Sequence, residues 1–591
     1  MAARASMTRW YSVPRLVSIG VRVAISTVFG EFADRRDTIA AERPLDPAAP
    51  DAAHVYAADA DGEFWLDFVA DNGDGWNSTY AIARLIAQPT IKLREHALPR
   101  ARLLVMGGDQ VYPTPSREAY IENLVTPYRE ASNRPDWPQQ DPHLYAIPGN
   151  HDWYDGLSSF LNLFCWRQLA GPWAIGHSGH RIGGWRTQQS RSYFALSLPH
   201  DWWLWGTDIQ LTEYIDQEQI NYFEHIARNW MPAGARLILC AGVPNWVYAD
   251  PEEPEKTFDH FSFIEGLLHR VGRNQRLCVV LTGDSHHYSR YTEDDRHYVT
   301  AGGGGAFLHP THHLPSEKIF KWRWPRPAAN SGAAPPPLSP GQTPTPQHTR
   351  AFQIGRDSAG KESIYPDRNT SRCLAFRNLA FAIFNWDFAL ALGVVCAIFA
   401  WQLDGVARAF GSNLPLTLSA APDYWAAVWE YLRLVFVTPW PPLMALIAAA
   451  GYCYFADFKT SAGRIGIGAL HTLAQMGAVV LMTVALARYV SFAKESLGLI
   501  LLTGIFGGAA AATVMGIYLL ACLNLAGRHW NEAFSALRIR HYKNFLRMRI
   551  DASGRLTIYP IGLSDVPQDK SVPPHNPPLS PELIESPIMI Q

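Results

Sequence analysis

An α/β layered domain followed by a bundle of about four membrane-spanning helices is the fold class that this sequence predicts. Three observations point to it. The first half holds short β-rich apolar runs, each closed by Gly or Pro and followed by a polar loop. That is the mark of buried strands presenting chemistry at their ends. The second half, after about residue 375, holds long and nearly uncharged apolar stretches. Between them runs a segment rich in Pro, Ala, Ser, Gln and Thr, the composition of an extended or disordered linker.

Residues 1–55 form an N-terminal segment whose apolar run is interrupted by Arg22. The interruption argues against a signal peptide and leaves two readings, an amphipathic helix at a membrane surface or an added strand. Residues 56–324 form the α/β domain. Phe68-Val69-Ala70 runs into Asp71-Asn72-Gly73-Asp74-Gly75, and Leu103 to Met106 runs into Gly107-Gly108-Asp109-Gln110-Val111-Tyr112. Leu144 to Ile147 runs into Pro148-Gly149-Asn150-His151-Asp152, and Leu277 to Leu281 runs into Thr282-Gly283-Asp284-Ser285-His286-His287. Asp, Asn and His at strand ends are hard-to-borderline metal ligands held on a rigid sheet.

In this order the loops resemble those of the calcineurin-like metallophosphoesterases. The first two are most similar to the purple acid phosphatase variant: D-x-G at Asp71-Asn72-Gly73 and G-D-x-x-Y at Gly108 to Tyr112, then G-N-H-D/E at Gly149 to Asp152. The resemblance covers roughly residues 60–315. It implies a four-layer α-β-β-α sandwich and two metal ions, manganese or iron ahead of magnesium or zinc. Such a pair clamps a phosphate ester and activates a water. By the family pattern Asp71, Asp109 and His286 bind the first ion, with Tyr112 either joining them as a phenolate or remaining a packed aromatic. Asp109, which bridges, binds the second with Asn150 and Asp284. His151 would stabilise the leaving oxygen or give it a proton, and Asp152 would orient the His151 ring.

The chain departs from the pattern twice. Gly283-Asp284-Ser285-His286 replaces the usual G-H-x-H, which hardens the site. No histidine follows the apolar run at 237–244, where a ligand is expected. The histidines of residues 302–313 are one candidate replacement. The glycines Gly302 to Gly305 there either admit an anion to backbone N–H groups or make a plain tight turn.

Residues 325–350 are the Pro-rich linker. Within 375–526, the stretches 379–401, 435–455, 465–487 and 497–525 are each long enough for a bilayer core, which needs about 20 apolar residues. The second has Pro439, Pro441 and Pro442 near its start. Arg368, Arg372, Arg377, Lys459, Arg464, Arg528, Arg538, Arg540 and Lys543 fall on one side of an even set of spans, against Arg408, Arg433, Arg488 and Lys494 on the other. The positive-inside rule makes the richer side cytoplasmic. Residues 527–566 form a soluble β-rich tail, with a hairpin at 547–559, and 567–591 read as a disordered end.

Net charge is −2, so no nucleic-acid partner is expected. Seven scattered cysteines suggest no disulfide framework. The expected protein is an integral membrane phosphoesterase with a cytoplasmic catalytic domain and a phosphate ester substrate, membrane-associated or soluble. The alternative is a phosphoesterase-fold sensor or scaffold that has lost catalysis. A third reading, a transporter regulated by a phosphate-binding domain, sits poorly with spans so low in polar residues.

Overall fold

The computed structural model describes residues 4–29, 54–165, 181–209, 215–322, 348–568 and 576–591. It divides into two compact units. Unit 1 contains 1–8, 19–368 and 539–591, and unit 2 contains 9–18 and 369–538. Most of the Pro-rich linker lies outside the described residues.

Unit 1 is mixed α/β. Its main strands are β1 (Phe64–Val69), β2 (Leu103–Gly107), β3 (His143–Ile147), β4 (Trp202–Gly206), β5 (Arg236–Ala241), β6 (Arg276–Thr282), β7 (Tyr288–Glu293), β8 (Arg296–Ala301), β9 (Lys543–Ile550) and β10 (Leu556–Leu563). Among the described residues they belong to two nine-stranded sheets. In the first, β10, β9, β1, β2 and β3 are successive neighbours; β1, β2 and β3 run parallel, and β9 runs antiparallel to both β1 and β10. In the second, β4, β5, β6 and β8 run parallel, and β7 pairs antiparallel with β8.

The alternation of β1 explains how the sheets stack. Phe64, Leu66 and Phe68 pack on Leu204, Ile238, Val279 and Leu281 in one apolar slab shared by residues of both sheets. Trp65 and Val69 belong to a second slab with the helix Trp76–Ile86. A third slab joins Leu237 and Leu239 to the helices Gln217–Asn229 and Glu255–Val271. Strands whose two faces are both buried read as nearly continuous apolar runs, which is the pattern the sequence shows.

The tail belongs to the central sheet. β9 lies between β1 and β10, and its Arg547 stands directly across from Asp67 of β1. Both side chains are buried, and the guanidinium gives two 2.8 Å bonds to the carboxylate and further bonds to the Ile86 and Leu98 carbonyls. A buried ion pair is tolerable when its remaining donors are satisfied, and this one keys the register of β1 on β9.

Three sequence expectations change here. The segment expected to be disordered at 567–591 is partly ordered. Glu582–Leu583 and Ile588–Ile590 pair with β10, because Ile584, Ile588 and Ile590 enter the slab between the sheets. Residues 348–350, assigned to the linker, open the strand His348–Ile354. The N-terminal run is a helix, Val13–Phe29, and not a strand; it leaves Leu16, Val17 and Val21 exposed.

Unit 2 is helical. Among the described residues, Trp386–Ala409, Ser461–Tyr489 and Ser496–Ala526 are long and apolar enough to cross a membrane. Of the expected second span, 435–455, the helix Trp440–Phe455 forms, its start delayed past Pro439. Tyr424–Val435 and Trp440–Phe455 meet at a 92° bend, and the second helix has Pro in its first turn. Proline lacks the N–H that a continuous helix would need there. Gly393 lies against Gly504 and Gly508 so closely that an added Cβ would come within 2.3 Å of the Gly504 carbonyl. Small residues let apolar helices pack at this range.

Candidate functional site

The first two loops are zipped together by their backbones. Asp71 N–H donates to the Gly108 carbonyl, Asn72 N–H to that of Asp109 and Tyr112 N–H to that of Gly73. Asp71, Asp109 and Asp284 all take left-handed backbone conformations, with φ of 58°, 47° and 63°. For residues other than glycine that conformation costs roughly 1–2 kcal/mol each. Such strain collects at functional sites. It turns the three carboxylates toward one place beyond the strand ends.

Tyr112 is the centre of that place. Its hydroxyl lies 2.8 Å from Asp71 Oδ1, 3.0 Å from Asp109 Oδ2 and 2.9 Å from His286 Nε2. His286 Nε2 is 3.5 Å from Asp71 Oδ1. The His286 ring is oriented from behind. Its Nδ1 sits 2.8 Å from the Phe307 carbonyl, so Nδ1 carries the proton and Nε2 offers a lone pair. His309 stacks on it at 3.8 Å and accepts the His286 backbone N–H at Nδ1.

The remaining candidates surround this cluster. His151 N–H donates to Asp109 Oδ1 at 2.9 Å, and the His151 ring places Nδ1 2.7 Å from the Pro113 carbonyl. Asp284 N–H donates to Asp71 Oδ1. Asp152 does not orient the His151 ring through the bond expected of it. Its carboxylate accepts from the backbone of Gly149 and Gln110 and from the Tyr120 hydroxyl. It stands as the third residue of a one-turn helix and ties the second and third loops together.

The sequence leaves Gly302 to Gly305 as either an opening for an anion or a tight turn, and two of the four N–H groups are taken by backbone carbonyls. Gly302, Gly304 and Ala306 give their N–H groups to the carbonyls of His287, Ala70 and Asp71. The glycines serve close packing. A Cβ at Gly302 would lie 2.5 Å from Asp71 Oδ2, and one at Gly303 would lie 2.2 Å from Asn544 Nδ2.

Two residues near the site escaped the sequence reading. Tyr248 follows β5, where a histidine was expected, and its hydroxyl lies 2.7 Å from Asp284 Oδ2 and 2.6 Å from Ser285 Oγ. Its place four residues beyond the strand-closing Pro244 was the available signal. Lys543 opens β9 and is wholly buried, with its ammonium on the Ala306 carbonyl. Nothing local in the sequence marks it.

Electrostatics describe a site with excess buried negative charge. Burial raises the carboxyls of Asp71, Asp152 and Asp284, with neighbouring carboxylates adding to the rise at Asp71 and Asp152. Burial and then Asp284 push Asp109 up to about 7. Burial, followed by Lys543, holds His286 well below the usual imidazole range. A cation would reverse the first effect and favour the neutral imidazole the second provides.

Among the described residues, no three His, Cys, Asp or Glu side chains stand spaced around one ion; the phenol of Tyr112 draws Asp71, Asp109 and His286 together instead. The donor set nevertheless fits metal. Asp71 Oδ2 and Asn150 Oδ1 are buried oxygens without a hydrogen-bond partner among the described residues, and burial of such atoms is costly unless something is bound to them.

No family model matches the chain, and a search of curated proteins finds no match. Similar solved structures include GAP50, the anchor in the inner membrane complex of Plasmodium, at 10% identity over 42% of this chain and 74% of that one, with a TM-score of 0.29. Another is purple acid phosphatase PPD1 from yellow lupin (Lupinus luteus) seeds, at 13% identity over 43% and 47% of the two chains, with a TM-score of 0.25.

Proposed function

We propose that unit 1 is a metal-dependent phosphoesterase hydrolysing a phosphate mono- or diester, anchored in a membrane by unit 2. The observation that carries the reading is the meeting of Asp71, Asp109, Tyr112 and His286 on one phenol oxygen, beside the partnerless oxygens of Asp71 and Asn150. The first ion would be held by Asp71, Asp109, Tyr112 and His286, and the second by Asp109, Asn150 and Asp284. Bound there, the pair supplies Lewis-acid clamping of the ester and a water of lowered pKa. The protein's own part is to hold Asp109 by the His151 N–H, to keep the His286 Nε2 lone pair forward, and to present the His151 ring beside Asn150 as an acid–base group. Manganese or iron suits this oxygen-rich set with one imidazole.

Purified protein is expected to hold manganese or iron and to hydrolyse generic aryl phosphate monoesters or diesters in proportion to its metal content. Tight metal binding with no hydrolysis of either class favours the second reading, a sensor or scaffold. The Tyr248 phenol at Asp284, where a ligand histidine was expected, is the feature that speaks for it.

Connectivity supports one membrane topology. The chain leaves unit 1 at Arg368 and returns at Ile539, and β9 then pairs with β1 in a single sheet. On this reading both ends of unit 2 lie on one side, with an even number of crossings. Three long helices need the bent pair as a fourth crossing. The Arg and Lys bias puts unit 1 in the cytoplasm. Cysteines replacing exposed Ser358 and Ser580 are expected to be shielded from an impermeant thiol reagent in intact cells, and cysteines at Ser419 and Ser491 to react. The opposite pattern reverses the orientation, and labelling of only one of Ser358 and Ser580 overturns the even count.

A further inference from the structure

We infer that Lys543 is the site's built-in cation, an ammonium that the chain delivers from beyond the helical unit to balance the carboxylates around Asp71. The inference rests on the metal-site reading above.

The register of β1 on β9 is the starting point. Asp67 faces Arg547 and Phe68 faces Leu546; carried onward, it brings Lys543 level with Asp71. The strands fork there, and the glycine segment enters the fork. Gly304 N–H donates to the Ala70 carbonyl, and Asn544 N–H donates to that of Gly303. Lys543 closes the fork by donating to the Ala306 carbonyl. The same stretch of peptide is bound on every side by the site. Ala306 N–H goes to the Asp71 carbonyl at 2.9 Å, Phe307 N–H to Asp74 Oδ2 at 3.3 Å, and the Phe307 carbonyl takes His286 Nδ1.

A buried ammonium on a single carbonyl is poorly compensated by that bond alone. Burial pulls the Lys543 ammonium down to about 7, and the carboxylates of Asp74 and then Asp71 act in the other direction, favouring its charged form. Asp74 belongs to neither ion set; it is held by the N–H groups of Thr8 and Phe307. Lys543 and Asp74 thus set the background charge on which a metal ion arrives. Lys543 repels the ion, and Asp74 attracts it.

The two charges give effects of opposite sign, which structural damage cannot imitate. Lys543→Met keeps the length of the side chain and removes its charge. It is expected to bind Mn2+ about tenfold more tightly, the scale on which one nearby charge acts. Its Mn2+-free unfolding midpoint should fall and its Mn2+-induced rise in midpoint should grow. Asp74→Asn keeps an acceptor for Thr8 and Phe307, and is expected to bind Mn2+ about tenfold more weakly, by the same rule. Titration of the full chain with Mn2+, followed by calorimetry and thermal unfolding, reads both. Unchanged or weaker Mn2+ binding in Lys543→Met, with the wild type binding normally, overturns the role of Lys543. A wild-type midpoint that Mn2+ does not move overturns the metal-site reading itself.

Discussion

Replacing Asp109 by asparagine is expected to remove bound metal and hydrolysis together. The substitution is close to isosteric, and asparagine tolerates the left-handed backbone that Asp109 adopts at φ 47°. Space is not at issue either. The residue is packed against Gly149, whose absent Cβ would lie 2.0 Å from Asp109 Oδ1, and the amide occupies the same volume as the carboxylate. What changes is charge and acceptor capacity. Asp109 accepts the His151 N–H on one oxygen and the Tyr112 hydroxyl on the other. An amide has one acceptor end, so one of those donors would face an NH2 group. A neutral group also cannot offset two cations. Changes to outer-shell partners typically cost about 10–100-fold in metal affinity or activity, and loss of the bridging ligand is expected to exceed that. Metal analysis and ester hydrolysis on the same purified sample check it. Full activity at unchanged metal content would sink the dinuclear reading.

The local signals were legible wherever chemistry and punctuation coincided. Asp71, Asp109, Tyr112 and His286 come from loops that the sequence marks by an apolar run followed by glycine and acid, and the structure gathers them around one oxygen. The tail shows the limit. Its hairpin was readable from Asp551-Ala552-Ser553-Gly554 between two β-rich runs, yet nothing in those residues says that the outer face pairs with β1. Arg547 and Asp67 lie 480 positions apart, and a buried ion pair leaves no local pattern. Lys543 is hidden for the same reason. The glycine run is limited in a different way. Its composition permits both N–H groups open to an anion and a plain tight turn, and the structure gives the N–H groups of Gly302 and Gly304 to the carbonyls of His287 and Ala70. The prolines near 440 mark the start of the helix Trp440–Phe455, but nothing in the apolar composition shows the 92° bend that joins it to Tyr424–Val435.

His151 separates binding from chemistry. Its contribution to the ligand set is made by the backbone, since the N–H and not the ring holds Asp109 Oδ1. Alanine keeps that N–H. The ring does something else. Nδ1 is fixed on the Pro113 carbonyl at 2.7 Å, and the ring lies 4.4 Å from that of Tyr112, beside the proposed ligand Asn150. Burial holds the imidazole below its ordinary range, with Asp284 and Asp74 acting in the other direction after the Pro113 carbonyl. His151→Ala is therefore expected to retain its metal ions and to slow turnover by about 10²–10⁴-fold, the usual contribution of a positioned acid–base group. Asp152 is unaffected by the change, because its carboxylate is spent on Gly149, Gln110 and Tyr120, and the loop should keep its shape. Metal content and turnover per bound ion are the two quantities to compare with wild type. A variant that loses its ions but keeps turnover per ion would show that the ring belongs to the ligand set and not to the chemistry.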